Sequence, residues 1–264
     1  MRSIRGTEVS KLALISLCLV LVMTSFAVSA RGASAQEEEP EFTAEFRLED
    51  CRFRPRGENP YFILQPGYQL VLEGEDEGET VRVEITVLNK TETIDLPDIG
   101  EVRTRVVEEV ETKDGELTEI SRNFFATCDQ TNDVYYFGEE VDIYNEDGTI
   151  THEGAWRAGE PDEDGLAEPG IIMPGTFLLG SRYYQELADG IALDRAEHTE
   201  MGLDVTVPAG SFTDCVQVIE TTPLEPGSES EKVYCPEVGL VMDGEIGLID
   251  HGFIKPDDDD DDNE

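Results

Sequence analysis

The sequence predicts a mainly β protein, folded as a single strongly curved antiparallel sheet (a half-barrel or open barrel) with little helix. Three observations carry that reading. Val81-Arg82-Val83-Glu84-Ile85-Thr86-Val87 and Leu203-Asp204-Val205-Thr206-Val207 alternate apolar and polar residues, the period of a strand with one wet face. Turn signals cut the chain at short intervals: Lys113-Asp114-Gly115, Asp129 to Asn132, and Asn145-Glu146-Asp147-Gly148. Between those turns lies an aromatic concentration, Phe124, Phe125, Tyr135, Tyr136 and Phe137, followed by the single tryptophan, Trp156.

Taken in order, the chain begins with Arg2, Arg5 and Lys11 ahead of an uncharged apolar run, Leu12 to Ala30, with small-residue exits after Ala30 and Ala35. That pattern describes a secretory signal peptide over residues 1–35. Residues 36–60 read as an acidic leader and lead-in segment, opening on Gln36 to Glu41, and residues 61–254 as one antiparallel β domain. In that domain Val102 to Val110 and Leu117 to Cys128 flank Asp114-Gly115, which closes a long hairpin. Ser181 to Glu200 has helical apolar spacing interrupted by Gly190. Gly159 to Gly175, with Pro161, Pro169 and Pro174, reads as a loop crossing between two halves of the sheet. About ten strands are expected. Residues 255–264 form an acidic tail, with consecutive aspartates from Asp257 to Asp262, expected to be disordered and solvated.

Composition narrows the partners. The 264 residues carry 60 Asp+Glu against 19 Lys+Arg, a formal net charge of −41. Phosphate recognition needs dense Lys and Arg, so nucleic acid is excluded as a partner. Anionic membrane surfaces are disfavoured for the same reason. Beyond Ala35 only Lys90, Lys113, Lys232 and Lys255 supply lysine. The leader places the protein outside the cytoplasm, secreted, periplasmic or on the cell envelope, and no integral membrane span is expected once it is cleaved.

Cys51, Cys128, Cys215 and Cys235 remain after the leader, an even set that suggests two disulfides in an oxidising compartment. Strands ending at Thr221 and starting at Glu229 are joined by Thr222 to Ser228. A symmetric hairpin then sets Ile219 opposite Glu231, Gln217 opposite Val233, and Cys215 opposite Cys235. Opposed Cα atoms in an antiparallel ladder lie about 4.5–5.5 Å apart, within disulfide reach. By subtraction Cys51 pairs with Cys128.

No motif for catalysis stands out. There is no G-x-S-x-G elbow, and Gly210-Ser211 reads as a turn. Among so many acids, carboxylate pairs arise by chance and say nothing about glycoside chemistry. Glu160, Asp162 and Asp164 alternate before Gly165 as at the start of a calcium loop, but the twelfth position is Ile171 where a bidentate Glu is required. Calcium is therefore the only cofactor the sequence raises, against the plainer reading of a solvated acidic loop. Tyr135, Tyr136, Phe137, Trp156, Tyr183 and Tyr184 could line an apolar cavity or fill a core.

Several stretches together, DVYYFGEEVDIY (Asp133 to Tyr144), EGAWRAG (Glu153 to Gly159), PGIIMPG (Pro169 to Gly175), GSRYYQE (Gly180 to Glu186) and VPAGSFTDC (Val207 to Cys215), resemble an uncharacterised family of exported bacterial proteins. The resemblance continues through TPLEPGSESEKVYCPEVGLV (Thr222 to Val241) and spans about Ser121 to Val241. It implies a secreted β protein with no assigned activity and no catalytic residue to carry over. The family pattern near Cys235 has a small residue before Pro-Gly, so Cys235-Pro236-Glu237 fits a cysteine added opposite Cys215. By analogy of architecture alone, the fold expected is that of periplasmic lipoprotein carriers. The sequence favours a non-catalytic protein that binds an apolar small molecule or lipid. An acidic envelope or surface protein taking up calcium is the alternative, and a hydrolase without a recognisable motif the third. The sequence leaves the oligomeric state open.

Overall fold

The structure, a computed structural model, describes residues 41–254 except residues 77 and 146. The signal peptide and the aspartate tail read from the sequence lie outside the described residues. The strands are β1 (Phe53–Arg54), β2 (Glu58–Asn59), β3 (Phe62–Ile63), β4 (Tyr68–Asp76), β5 (Glu79–Leu96), β6 (Gly100–Lys113), β7 (Glu116–Cys128), β8 (Val134–Tyr144) and β9 (Ile150–Thr151). They continue as β10 (Trp156–Arg157), β11 (Glu168–Met173), β12 (Arg182–Tyr184), β13 (Glu186–Leu187), β14 (Arg195–Val207), β15 (Gly210–Thr221), β16 (Glu229–Cys235), β17 (Gly239–Asp243) and β18 (Ile246–Phe253). One 3-10 turn, Leu48–Asp50, is the only helical piece among the described residues.

Two meanders make one antiparallel sheet. β4 to β8 run in sequence order, β14 to β18 do the same, and β18 joins them by pairing with β4. The path is β12-β14-β15-β16-β17-β18-β4-β5-β6-β7-β8-β11-β13. Its hairpins follow the local turn chemistry. Asp114 (φ 50°) and Gly115 (φ 83°) turn β6 into β7, because both central residues of such a turn need positive φ. The sheet does not close into a barrel. Its two edge strands, β12 and β13, are nonetheless successive pieces of chain separated only by Gln185, so each edge is protected by the approach of the other. Gly170 sits at this meeting point, where a Cβ would strike the Tyr184 carbonyl and Gln185.

Two expectations change here, and one ambiguous stretch resolves. The lead-in segment is part of the sheet: Thr43 bridges Tyr183, and Phe53 and Arg54 pair with Cys128 and Thr127. The stretch from Gly159 to Gly175 is not a loop throughout, because Glu168–Met173 forms β11 and pairs with β8 and β13. Ser181 to Glu200 is strand and turn, with Gly190 at φ 74° reversing the chain. Its helical spacing arises because the chain passes from one sheet edge to the other, so no single period holds.

Both cysteine pairs stand at disulfide distance. Cys51 and Cys128 have Cα atoms 5.1 Å apart, and Cys215 and Cys235 have theirs 4.2 Å apart. The β15–β16 register is the symmetric one, with Ile219 opposite Glu231 and Gln217 opposite Val233. In the chain-entropy account the longer loop, spanning 77 residues, contributes about 4–5 kcal/mol and the shorter, spanning 20, about 3 kcal/mol.

Candidate functional site

Strand alternation turns every second side chain to the concave side of the sheet. On β5 these are Val83, Ile85 and Val87, while Arg82 faces out and pairs with Glu73 and Glu84. With Leu70 and Leu72 from β4, Leu240 and Ile246 from the closing strands, and Phe62 from β3, they wall an apolar cavity of about 110 Å³. One water needs roughly 10–15 Å³ by this kind of measure, so the space exceeds a packing defect.

Phe125, Ile172, Glu109 and Lys232 also line a second cavity of about 220 Å³, whose wall is polar. The same alternation on β7 delivers Glu119, Ser121 and Asn123 to its wall. Tyr136 and Glu139 come from β8, Glu220 from β15 and Glu186 from β13, with Asp194 at the exposed rim. Tyr136 and Glu139 are three apart rather than two because the chain turns through Gly138 (φ 141°). There β10 presses so close that a Cβ would strike the Trp156 carbonyl. The Tyr136 hydroxyl donates to Asn123 Oδ1, whose amide lies 3.3 Å from Ser121 Oγ and 3.4 Å from Glu109 Oε1.

Charge is unbalanced in this polar end. Lys232 is the one base among its lining residues, and Nζ lies 2.9 Å from Glu220 and 3.6 Å from Asp243. Burial alone would lower the Lys232 ammonium, but Glu220 and Asp243 outweigh it and hold it well above its ordinary value. Glu220 also accepts from Gln185 at 2.7 Å. The other acids have no such partner. Burial, aided by Asp243 and Glu119 against the pull of Lys232, pushes Glu109 up to about 7. Burial and the Glu109 charge push Glu139 up to about 7 as well. Glu186, 8% exposed, is raised well above a carboxylate's usual range by burial, Asp194 and Glu139. The buried Trp156 indole N–H faces its carboxylate and partly offsets that rise, short of full hydrogen-bond geometry.

Of the six aromatic candidates, only Tyr136 lines this interior. Tyr135 packs edge-on against Phe46 and Phe53, Phe137 against Phe53, and Trp156 against Tyr136. Tyr183 donates toward His198 Nε2 at 2.8 Å, and the partly buried Tyr184 meets Phe42. The aromatic rings that do face the apolar cavity are Tyr61, Phe62, Tyr68, Phe125 and Tyr234. In the acidic loop, Asp162 is committed to its own backbone: Oδ1 accepts from Gly165 and Asp164, and Oδ2 from Asp189. Glu160 and Asp164 are not brought to it as ligands; among the described residues no group of three or more His, Cys, Asp or Glu has metal-holding geometry.

The histidines serve the fold. His198, pushed down to about 4 by burial, stacks on Phe177 with ring centroids 3.7 Å apart and contacts the Leu178 carbonyl through Nδ1. None of the three lines either cavity of the interior.

Fold and site together define a class: an open, strongly curved antiparallel sheet whose concave side is apolar at one end and acidic at the other. No family model matches the chain, and no curated protein or solved structure matches it either. The paired cysteines fit an oxidising compartment outside the cytoplasm. Among the described residues no helix is long and apolar enough to cross a membrane.

Proposed function

We propose that this is an exported, non-catalytic binding protein whose curved sheet holds an apolar or lipid-like ligand. The observation that carries the reading is the apolar cavity of about 110 Å³, which shares Phe125, Ile172, Glu109 and Lys232 with the wall of the polar one. Ligand sites are concave, mostly apolar, and carry a few polar groups that fix orientation, and this interior has that composition. No histidine lines either cavity, and the one serine of the lining, Ser121, sits beside the Glu139 carboxylate.

The test is a mass spectrum of the organic extract of the protein purified from its native source. One apolar species at a fixed ratio to protein is expected. Val107→Phe, which fills the cavity from β6, should abolish that co-purification while the chain remains folded by circular dichroism. An extract with no bound species, in a protein that also takes up no added aliphatic compound, overturns the reading.

A further inference from the structure

We propose that the ligand's polar end is a primary ammonium, held by Glu109, Glu139 and Glu186 with its aliphatic part in the apolar cavity. This rests on the interior being a ligand site at all. The geometry supports it in three ways. Glu186 is 8% exposed, lines the cavity and has only the Trp156 indole N–H beside it among the described residues, so most of a buried carboxylate's acceptor sites are left without a donor. Such an arrangement costs stability unless something supplies the missing donor.

Second, the wall already shows what it does with an ammonium. Lys232 carries one into the same space, and two carboxylates close on it at 2.9 and 3.6 Å. Glu109, Glu139 and Glu186 are the remaining acceptors deep in the wall, and a carboxylate can only accept whereas an ammonium brings three donors. Third, no group of three or more His, Cys, Asp or Glu among the described residues has metal-holding geometry, so a bare metal ion does not fit as the missing cation. The face-tilted pair Phe125 and Tyr136, with centroids 4.7 Å apart, borders the same space and offers rings to the cation's flank.

The experiment is isothermal titration of the native chain at pH 8 with decylammonium, 1-decanol and decanoate, which share one aliphatic chain and differ in head charge. Salt at about 0.5 M screens the acidic outer surface, so that non-specific attraction of cations drops out. Decylammonium should bind at least about tenfold more tightly than decanol, with decanoate weakest. Glu186→Gln and Glu139→Gln should each shrink that gap, and unchanged circular dichroism spectra show that the variants fold. Equal or tighter binding of decanol overturns the ammonium assignment and leaves the apolar-ligand reading standing. Failure of all three to bind overturns both.

Discussion

The apolar end of the interior, walled by β4, β5, β17 and β18, and the acidic end, walled by β7, β8, β13 and β15, obey one alternation rule with opposite consequences. Leu72 is fully buried and its burial lowers the free energy of the fold. Glu186 is almost as buried, and its burial raises it. A sheet that needed only stability would carry the apolar pattern throughout. Local departures of this kind concentrate where a protein keeps a group for use and not for folding.

The comparison can be broken at either end. Leu72→Ala should cost about 3–5 kcal/mol in chemical denaturation, because a fully buried leucine next to an existing cavity leaves little to collapse into the space. Lys232→Met should cost about 3 kcal/mol, since Glu220 and Asp243 lose their cation, and Lys232→Met with Glu220→Leu should recover most of it.

The acidic end also predicts a pH dependence. Glu109 and Glu139 have folded values raised from 4.5 to about 7, so the folded state holds more protons than the unfolded state between those values. Their contribution is fully present below about pH 4.5 and is lost as the pH rises through about 7. The loss is about 3 kcal/mol for each, and Glu139→Gln should flatten the pH profile of the melting temperature over that interval. The smallest effect belongs to the convex face. Arg82→Gln removes a pair of exposed ion pairs to Glu73 and Glu84, and should change stability by less than about 1 kcal/mol.

Much of the sheet was legible because its signals are local. Val81 to Val87 shows its buried face directly in its alternation, and Asp114-Gly115 marks its own hairpin. The Thr222 to Ser228 connection fixed the register that brings Cys215 to Cys235. The ends of the sheet were not legible, because β11, β12 and β13 are ordered by contacts between distant segments. Gln185 separating the two edges has no local mark. The aromatic candidates misdirected attention for a related reason: consecutive positions such as Tyr135, Tyr136 and Phe137 cannot share one face of a strand.

Glu109, Glu139, Glu186 and Lys232 were missed among the many acids, whose abundance hides any cluster. One signal was available. The β15–β16 register sets Val218 opposite Lys232, which puts scarce Lys232 diagonal to Glu220 on the same face, where long side chains meet.

The central claim is that the acidic end is maintained for a ligand at a cost to the fold. Its most direct test is the melting temperature of ligand-free protein at pH 8, native against Glu186→Gln. The account predicts that Glu186→Gln melts higher, by about 2–4 °C for each kcal/mol recovered. A lower melting temperature for Glu186→Gln would make that carboxylate a structural element and contradict the account.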